Sequence, residues 1–102
     1  MVDSPKLLSI EELRKELPQF WTIIENSDIP KIQRIYNFNR YMDCLAMVNR
    51  LAELANEMDH HPDILLTYGA VKVEIFTHSL KGVSTFDLQY AKFAEKLFAS
   101  MP

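Results

Sequence analysis

Residues 39–58 constrain the fold of this chain most, because no Pro or Gly interrupts them. Apolar side chains recur in this segment at the three- and four-residue spacing of a helix. They form two neighbouring rows, which are Tyr41, Leu45, Val48, Ala52 and Ala55, and Cys44, Met47, Leu51, Leu54 and Met58. So wide an apolar face predicts a helix covered by a sheet on one side and by a neighbouring subunit on another. Pro62 ends the helix, because it lacks an amide donor and disfavours helical geometry in the residue before it.

Short aromatic and β-branched segments flank this helix and predict four strands, at residues 20–24, 31–38, 64–68 and 71–78. The last two strands form a hairpin that turns at Gly69 and Ala70. Ser9 with Glu12, and Ser84 with Asp87, have the spacing of capping boxes and predict one helix near each end of the chain. The order α-β-β-α-β-β-α predicts an α+β fold, in which three helices pack on one face of a four-stranded antiparallel sheet.

All three histidines lie in two short segments, Asp59-His60-His61-Pro62 and Thr77-His78. The first segment ends the long helix and the second ends the last strand, so we expect both at one rim of the sheet, with Tyr68 beside them. Imidazole takes up and releases protons near neutral pH, since its unperturbed pKa is about 6.5. Several imidazoles around one pocket suit acid–base chemistry.

Each of these residues also has a structural interpretation. His60 and His61 are suited to capping the last turn of their helix, and Asp87 is suited to capping the first turn of the next one. Tyr68 is typical of an aromatic on a sheet with a solvated hydroxyl group. A zinc site is a third interpretation, because histidines and a carboxylate are zinc ligands. Against zinc, adjacent His60 and His61 tend to point in different directions, and no HExxH motif is present.

Length, composition and net charge exclude several classes of protein. With 102 residues, 48% of them apolar, the chain predicts a single globular domain over residues 1–102, of which residues 1–8 are expected to be disordered. A net charge of -3 without a basic stripe disfavours direct binding to nucleic acid. Cys44 is the only cysteine, so an intrachain disulfide is excluded and a buried apolar role is expected. No secretory signal and no membrane-length apolar stretch is present, which predicts a cytoplasmic protein with no membrane partner.

The whole constellation resembles the pterin-4a-carbinolamine dehydratases. His60-His61-Pro62, Tyr68, Thr77-His78, the segment Gly82-Val83-Ser84 and Asp87 match that family's residue types and the intervals between them. The likeness covers roughly residues 20–101. It implies dehydration of 4a-hydroxytetrahydropterin to quinonoid dihydropterin, the step that recycles the pterin cofactor of aromatic amino-acid hydroxylases. It also implies a homo-oligomer, either a dimer or a tetramer, and a second role in some members as the dimerisation partner of a homeodomain transcription factor.

The resemblance also implies the roles of individual residues. The catalytic residues are His60, His61, His78 and Asp87, with Asp87 orienting or tuning a histidine. No metal or other cofactor is implied. The residues that bind the pterin substrate are Asn56, Asp59, Pro62, Tyr68, Thr77 and Ser79. A non-catalytic binding or dimerisation module on the same fold is the alternative function, although retention of all three histidines argues against it.

Two positions depart from the family pattern. The family usually has an acidic residue four positions before the first histidine, where this chain has Asn56, and many members have Trp where this chain has Ile64. Glu57 is no direct substitute for the missing carboxylate, because each helix residue is rotated by about 100° from the one before it. Asn56 keeps hydrogen-bonding ability without charge. We therefore expect dehydratase activity at a reduced level, and we expect Asn56→Glu to change the turnover.

Overall fold

A computed structural model describes residues 4–102. Its elements in chain order are α1 (Ile10–Glu16), β1 (Thr22–Ile24), β2 (Lys31–Asn37), α2 (Tyr41–Met58), β3 (Asp63–Thr67), β4 (Ala70–Ile75), a short 3-10 helix (His78–Leu80) and α3 (Thr85–Ala99). This order confirms the predicted α+β fold with its α-β-β-α-β-β-α arrangement. Among residues 4–102, no helix is both long enough and apolar enough to cross a membrane.

The four strands form one antiparallel sheet in the order β1-β2-β4-β3. Strand β4 lies between β2 and β3, with Val73 paired to Arg34 on one side and to Ile64 on the other. The second hairpin turns at Gly69, whose φ of 90° is readily adopted only by glycine. As a result, the end of β4 lies beside the start of β3, close to the end of α2.

One face of the sheet packs against the helices. Alternate residues of β4 are buried on that face, and Leu13 of α1, Leu51 of α2 and Ala91 of α3 join the same core. Cys44 is fully buried there, as the sequence predicted. Burial of this kind stabilises the fold by roughly 25 cal/mol for each Å² of apolar surface removed from water.

The two predicted capping boxes are confirmed. In the first, the Ser9 side chain accepts a hydrogen bond from the Glu12 amide at 3.1 Å, and the Glu12 carboxylate accepts one from the Ser9 amide at 3.0 Å. In the second, Ser84 and Asp87 are arranged in the same reciprocal way at the start of α3. The second box fixes where α3 begins, and so where its first-turn carboxylate lies.

Two predicted strands are shorter in the structure. The first begins at Thr22 rather than at residue 20, because Phe20 has a φ of 74°, outside the range of a strand. The last ends at Ile75 rather than at His78. Both neighbours of β4 begin immediately after a proline, β2 after Pro30 and β3 after Pro62, so neither has a strand residue opposite Thr77 or His78. His78 therefore begins a 3-10 turn instead of ending a strand.

The predicted disorder of residues 1–8 does not hold for residues 6–8, whereas residues 1–3 lie outside the described residues. The Leu8 amide donates to the Val83 carbonyl at 2.9 Å, and the Thr85 amide donates to the Lys6 carbonyl at 2.9 Å. Leu7 forms an isolated antiparallel bridge with Ser84. This N-terminal segment thus holds the loop that leads into α3.

A cluster of hydrogen bonds centres on Glu95 of α3. The Glu95 carboxylate accepts hydrogen bonds from the Trp21 indole at 2.9 Å, the Arg34 guanidinium at 3.0 Å and the Tyr36 hydroxyl at 2.5 Å. Burial, followed by the hydrogen bond to Glu95, raises the pKa of Tyr36 far above its ordinary value. These bonds satisfy the polar groups of Arg34 and Tyr36, which occupy the helix-covered face of β2.

Candidate active site

The C-terminus of α2 presents the first two histidines. Asp59 adopts a left-handed conformation with a φ of 50°, and its amide donates back to the Asn56 carbonyl. The His60 amide donates to the Ala55 carbonyl at 3.0 Å, which completes a Schellman-type ending. The chain therefore leaves the helix sharply at His60, and β3 begins three residues later at Asp63.

The segment between β4 and α3 forms the other side of the site. The Thr77 amide donates to the Gly82 carbonyl at 2.9 Å and closes a compact loop around the 3-10 helix. Lys81 ends that helix in a left-handed conformation with a φ of 52°. The loop then brings Ser84 to the N-cap of α3, so that Thr77 and Asp87 face each other.

Asp87 and His60 form the centre of the site. His60 Nε2 lies 2.5 Å from Asp87 Oδ1, the Asp87 side chain is fully buried, and the His60 side chain is 13% exposed. The edge of the His60 ring packs against Phe86, with ring centroids 5.9 Å apart. Asp87 Oδ2 accepts hydrogen bonds from the Ser84 amide and the Thr77 hydroxyl, both at 2.8 Å. A carboxylate can only accept, so the proton between Asp87 and His60 belongs to Nε2 of the imidazole.

His61 lies next to this pair but has a neutral hydrogen-bond partner. Its Nε2 is 3.1 Å from Oδ1 of Asn56, which is one turn back on α2, and both residues are exposed. An amide oxygen accepts a hydrogen bond, so Nε2 of His61 carries the proton and Nδ1 is left with the lone pair in the neutral ring. Asn56, where the sequence departs from the family pattern, therefore contacts His61.

The third histidine follows Thr77 directly and is exposed. The His78 ring packs against Phe76, with centroids 4.3 Å apart. Asp59 and Ser79 are also exposed at this corner, and Pro62 is half-buried between His61 and β3. Direct side-chain contacts join His60, Asp87 and Thr77, and separately His61 and Asn56. His78 and Ser79 are brought to the same corner by their sequence proximity to Thr77.

The expected position of Tyr68 beside the histidines is wrong. Strand β3 runs from Asp63 to Thr67, and Tyr68 lies in the turn beyond it, at the far end of the hairpin. Five strand residues span roughly 16 Å, so one hairpin cannot place both ends at a single rim. Tyr68 is 81% exposed, and its ring stacks on Tyr41 with centroids 6.3 Å apart.

The zinc interpretation gains no support from the geometry. Within residues 4–102, no group of three or more His, Cys, Asp or Glu side chains is arranged to hold a metal ion. The carboxylate nearest the histidines is Asp87, and both of its oxygens are engaged by protein hydrogen-bond donors.

Sequence reasoning missed three contributors to the site. Phe86 and Phe76 pack against the rings of His60 and His78, but a single aromatic residue in a short segment gives no sign of such a contact. Ser84 was predicted as a helix cap and as part of the family pattern, but the contact of its hydroxyl group with that of Thr77, at 2.6 Å, was not predicted. The capping-box spacing located Ser84 correctly, but the contact with Thr77 depends on the loop between β4 and α3.

Several known proteins resemble this chain in sequence. The family model described as "Pterin 4 alpha carbinolamine dehydratase" matches residues 6–97. A protein of Nitrosomonas europaea named "Putative pterin-4-alpha-carbinolamine dehydratase" is 37% identical over 90 residues, which cover 88% of this chain and 76% of the relative. A protein of Vibrio vulnificus with the same name is 39% identical over 77 residues, covering 76% and 69% of the two chains.

Two solved structures share the fold. A transcriptional coactivator/pterin dehydratase from Brucella melitensis superimposes with a TM-score of 0.80 at 24% identity, covering 90% of this chain and 98% of the other. A pterin dehydratase-like protein identified as a RuBisCO assembly factor in the alpha-carboxysome gives a TM-score of 0.66 at 21% identity, covering 79% and 92%. At these identities the two structures establish the architecture alone. The family model and the sequence relatives show that this chain belongs to the pterin 4 alpha carbinolamine dehydratase family.

Proposed function

We propose that this protein dehydrates 4a-hydroxytetrahydropterin to quinonoid dihydropterin and water. The observation that carries the proposal is the buried pair of Asp87 and His60 at a corner that also holds His61 and His78. The reaction requires a proton for the departing C4a hydroxyl group and removal of the proton on N5. Positioned imidazoles supply both steps by general acid–base catalysis.

The neighbours of the two adjacent histidines suit them to different steps. A carboxylate stabilises a positive charge on His60, because Asp87 Oδ1 is 2.5 Å from its ring nitrogen. His60 is therefore suited to act as the acid that protonates the leaving hydroxyl group. The partner of His61 is the uncharged amide of Asn56, which holds the neutral ring with its lone pair on Nδ1. His61 is accordingly assigned as the base that removes the N5 proton, and His78 as a further pocket residue.

The residues expected to bind the pterin divide by position. Asn56, Asp59, Pro62 and Ser79 lie at the corner of the histidines and retain the predicted role. Tyr68 lies at the other end of the hairpin, so a contact with the same substrate is not proposed within one chain. Thr77 is 5% exposed, which leaves it little surface for contact with a substrate. A homo-oligomer in the cytoplasm, acting in tetrahydrobiopterin recycling, completes the proposal.

A binding or assembly role on the same fold is the competing function. The similar structures include a coactivator/pterin dehydratase and an assembly factor, so the fold is compatible with protein partners. Such a role places no demand on a buried carboxylate that holds the proton of one imidazole nitrogen. The pair of Asp87 and His60 therefore favours catalysis.

The test is the decay of enzymatically generated 4a-hydroxytetrahydropterin, followed by absorbance. We expect the wild-type protein to accelerate the decay and His60→Ala and His78→Ala to lose most of the acceleration, by about 100-fold or more for His60. Lys15→Ala, at an exposed position on α1, serves as the matched control and should retain wild-type activity.

Absence of acceleration by a folded wild-type protein would reject the catalytic proposal and favour the binding role. Acceleration that survives in His60→Ala would reject the assignment of this residue while leaving the dehydratase function intact. Circular dichroism of every variant separates loss of the site from loss of the fold.

A further inference from the structure

Thr77 lies behind the candidate active site rather than on its surface. The residue is 5% exposed, although the next residue, His78, is exposed. Its hydroxyl oxygen lies 2.8 Å from Asp87 Oδ2 and 2.6 Å from the Ser84 hydroxyl oxygen. Two protein partners at these distances leave this hydroxyl group little capacity for a substrate. The expected role of Thr77 in substrate binding therefore does not fit the position of its side chain.

The direction of each hydrogen bond in this cluster follows from the donors that are available. The carboxylate of Asp87 accepts only, so the Thr77 hydroxyl donates its single proton to Oδ2. Consequently the Ser84 hydroxyl donates to the Thr77 oxygen. Ser84 Oγ in turn accepts a hydrogen bond from the Phe86 amide at 3.2 Å, in the first turn of α3. The result is an oriented row of donors that runs from Phe86 through Ser84 and Thr77 to Asp87.

This row determines which oxygen of Asp87 is left for the histidine. Oδ2 is occupied by the Thr77 hydroxyl and by the Ser84 amide, both at 2.8 Å. Oδ1 faces His60 Nε2. A carboxylate fixed at both oxygens cannot rotate, and a fully buried one has no water to replace a lost donor. Hence the hydroxyl row holds Asp87 in the orientation that keeps the proton of His60 on Nε2.

We propose that Thr77, supported by Ser84, is a positioning residue that fixes Asp87 and, through it, the Nε2-protonated tautomer of His60. The kinetic consequence rests on the proposed dehydratase function. The tautomer itself is independent of that function, since it follows from hydrogen bonds within the protein. The active ring nitrogen of His60 is then Nδ1, which Asp87 does not contact. It takes up a proton to give the imidazolium and donates that proton to the leaving hydroxyl group.

The experiment compares Thr77→Val, which removes the hydroxyl group at nearly constant volume, with Thr77→Ser, which retains it. Imidazole nitrogen NMR of the histidine-labelled full-length protein reports the tautomer, and loss of a signal set in His60→Ala assigns it. We expect the wild type and Thr77→Ser to show the Nε2-protonated tautomer of His60, and Thr77→Val to show a mixture with the Nδ1-protonated form. In the decay assay, Thr77→Val should lower kcat by about tenfold and change KM less than twofold. In Thr77→Ser most of the wild-type kcat should be retained.

An unchanged tautomer in a folded Thr77→Val variant would overturn the proposal, whatever its activity. A rise in KM with kcat preserved would also overturn it, because that result identifies a substrate contact. Should the wild type prove inactive, the tautomer comparison alone decides, so failure of the proposed function and failure of this inference are distinguishable. Should Thr77→Val fail to fold, Thr77→Ala supplies the same test, since it also removes the hydroxyl group that donates to Asp87 Oδ2.

Discussion

The contact between Asn56 and His61 offers a direct test of which histidine acts as the base. Asn56→Asp changes the neutral amide into a carboxylate of the same shape, at 3.1 Å from Nε2 of His61. Two unit charges at this distance in water attract each other by about 1.3 kcal/mol, which is about a tenfold change in proton affinity. The carboxylate stabilises the protonated ring, so His61 loses its proton only at higher pH. If His61 is the base, the acid limb of the pH profile of kcat/KM moves up by about one pH unit.

The assay measures kcat/KM for the dehydratase reaction between pH 5.5 and 9, at low and at high ionic strength. We expect the acid limb of the variant to lie at higher pH than that of the wild type, and this displacement to shrink as salt screens the exposed pair. Asn56→Leu is the matched control, because it removes the hydrogen bond without adding charge and should leave the limb in place. An Asn56→Asp limb that stays in place would refute the assignment of His61 as base, and one that moves to lower pH would contradict the electrostatic reasoning itself.

Three further predictions concern the surrounding structure. Asp59→Gly should raise the free energy of unfolding by about 0.5–1 kcal/mol in urea denaturation, because φ is 50° there and glycine adopts this conformation without a side-chain penalty; a decrease would contradict this. The pKa of Glu74 lies below its ordinary value of 4.5, mainly because the carboxylate accepts a hydrogen bond from Lys31. Glu74 therefore stabilises the fold above that pH, and the stability difference between wild type and Glu74→Gln should shrink as pH falls below 4.5. A constant difference would refute the ion pair as its cause. Gly69→Ala should lower the free energy of unfolding by about 1 kcal/mol or more, because φ is 90° there. Gly82→Ala should lower it less, because the added Cβ meets the tip of the exposed Leu7 side chain. Equal shifts in melting temperature for the two variants would refute this.

The sequence predicted the elements well because their signals are local. Capping boxes at Ser9 and Ser84, the proline after α2 and the helical period of residues 39–58 each depend on a few neighbouring residues. The end of β4 was missed because it depends on where its two partner strands begin, which is a property of the sheet. Residues 6–8 were missed for the same reason, since their hydrogen bonds reach the loop before α3.

Prediction of the site was limited in a similar way. The family pattern named His60, Asp87 and Thr77, and the structure places them in contact. The family pattern did not indicate whether Thr77 is a buried positioning residue or an exposed ligand-binding one. The burial of Thr77 depends on packing under the loop that ends at Ser84. For Tyr68, the prediction failed on the position of the residue. Its spacing fits the family pattern, yet one strand length separates it from the histidines.

Asp87 shows why the structural and the functional interpretations of a residue need not exclude each other. A helix cap and a partner of histidine were weighed as alternatives, but the carboxylate has two oxygens and uses one for each purpose. Oδ2 closes the capping box of α3 through the Ser84 amide, while Oδ1 meets His60 at the end of α2. Because one carboxylate makes both contacts, the stability of α3 and the orientation of His60 depend on the same group. Asp87→Ala should therefore lose both together, since it removes both oxygens, and a variant that lost only one would separate the two roles.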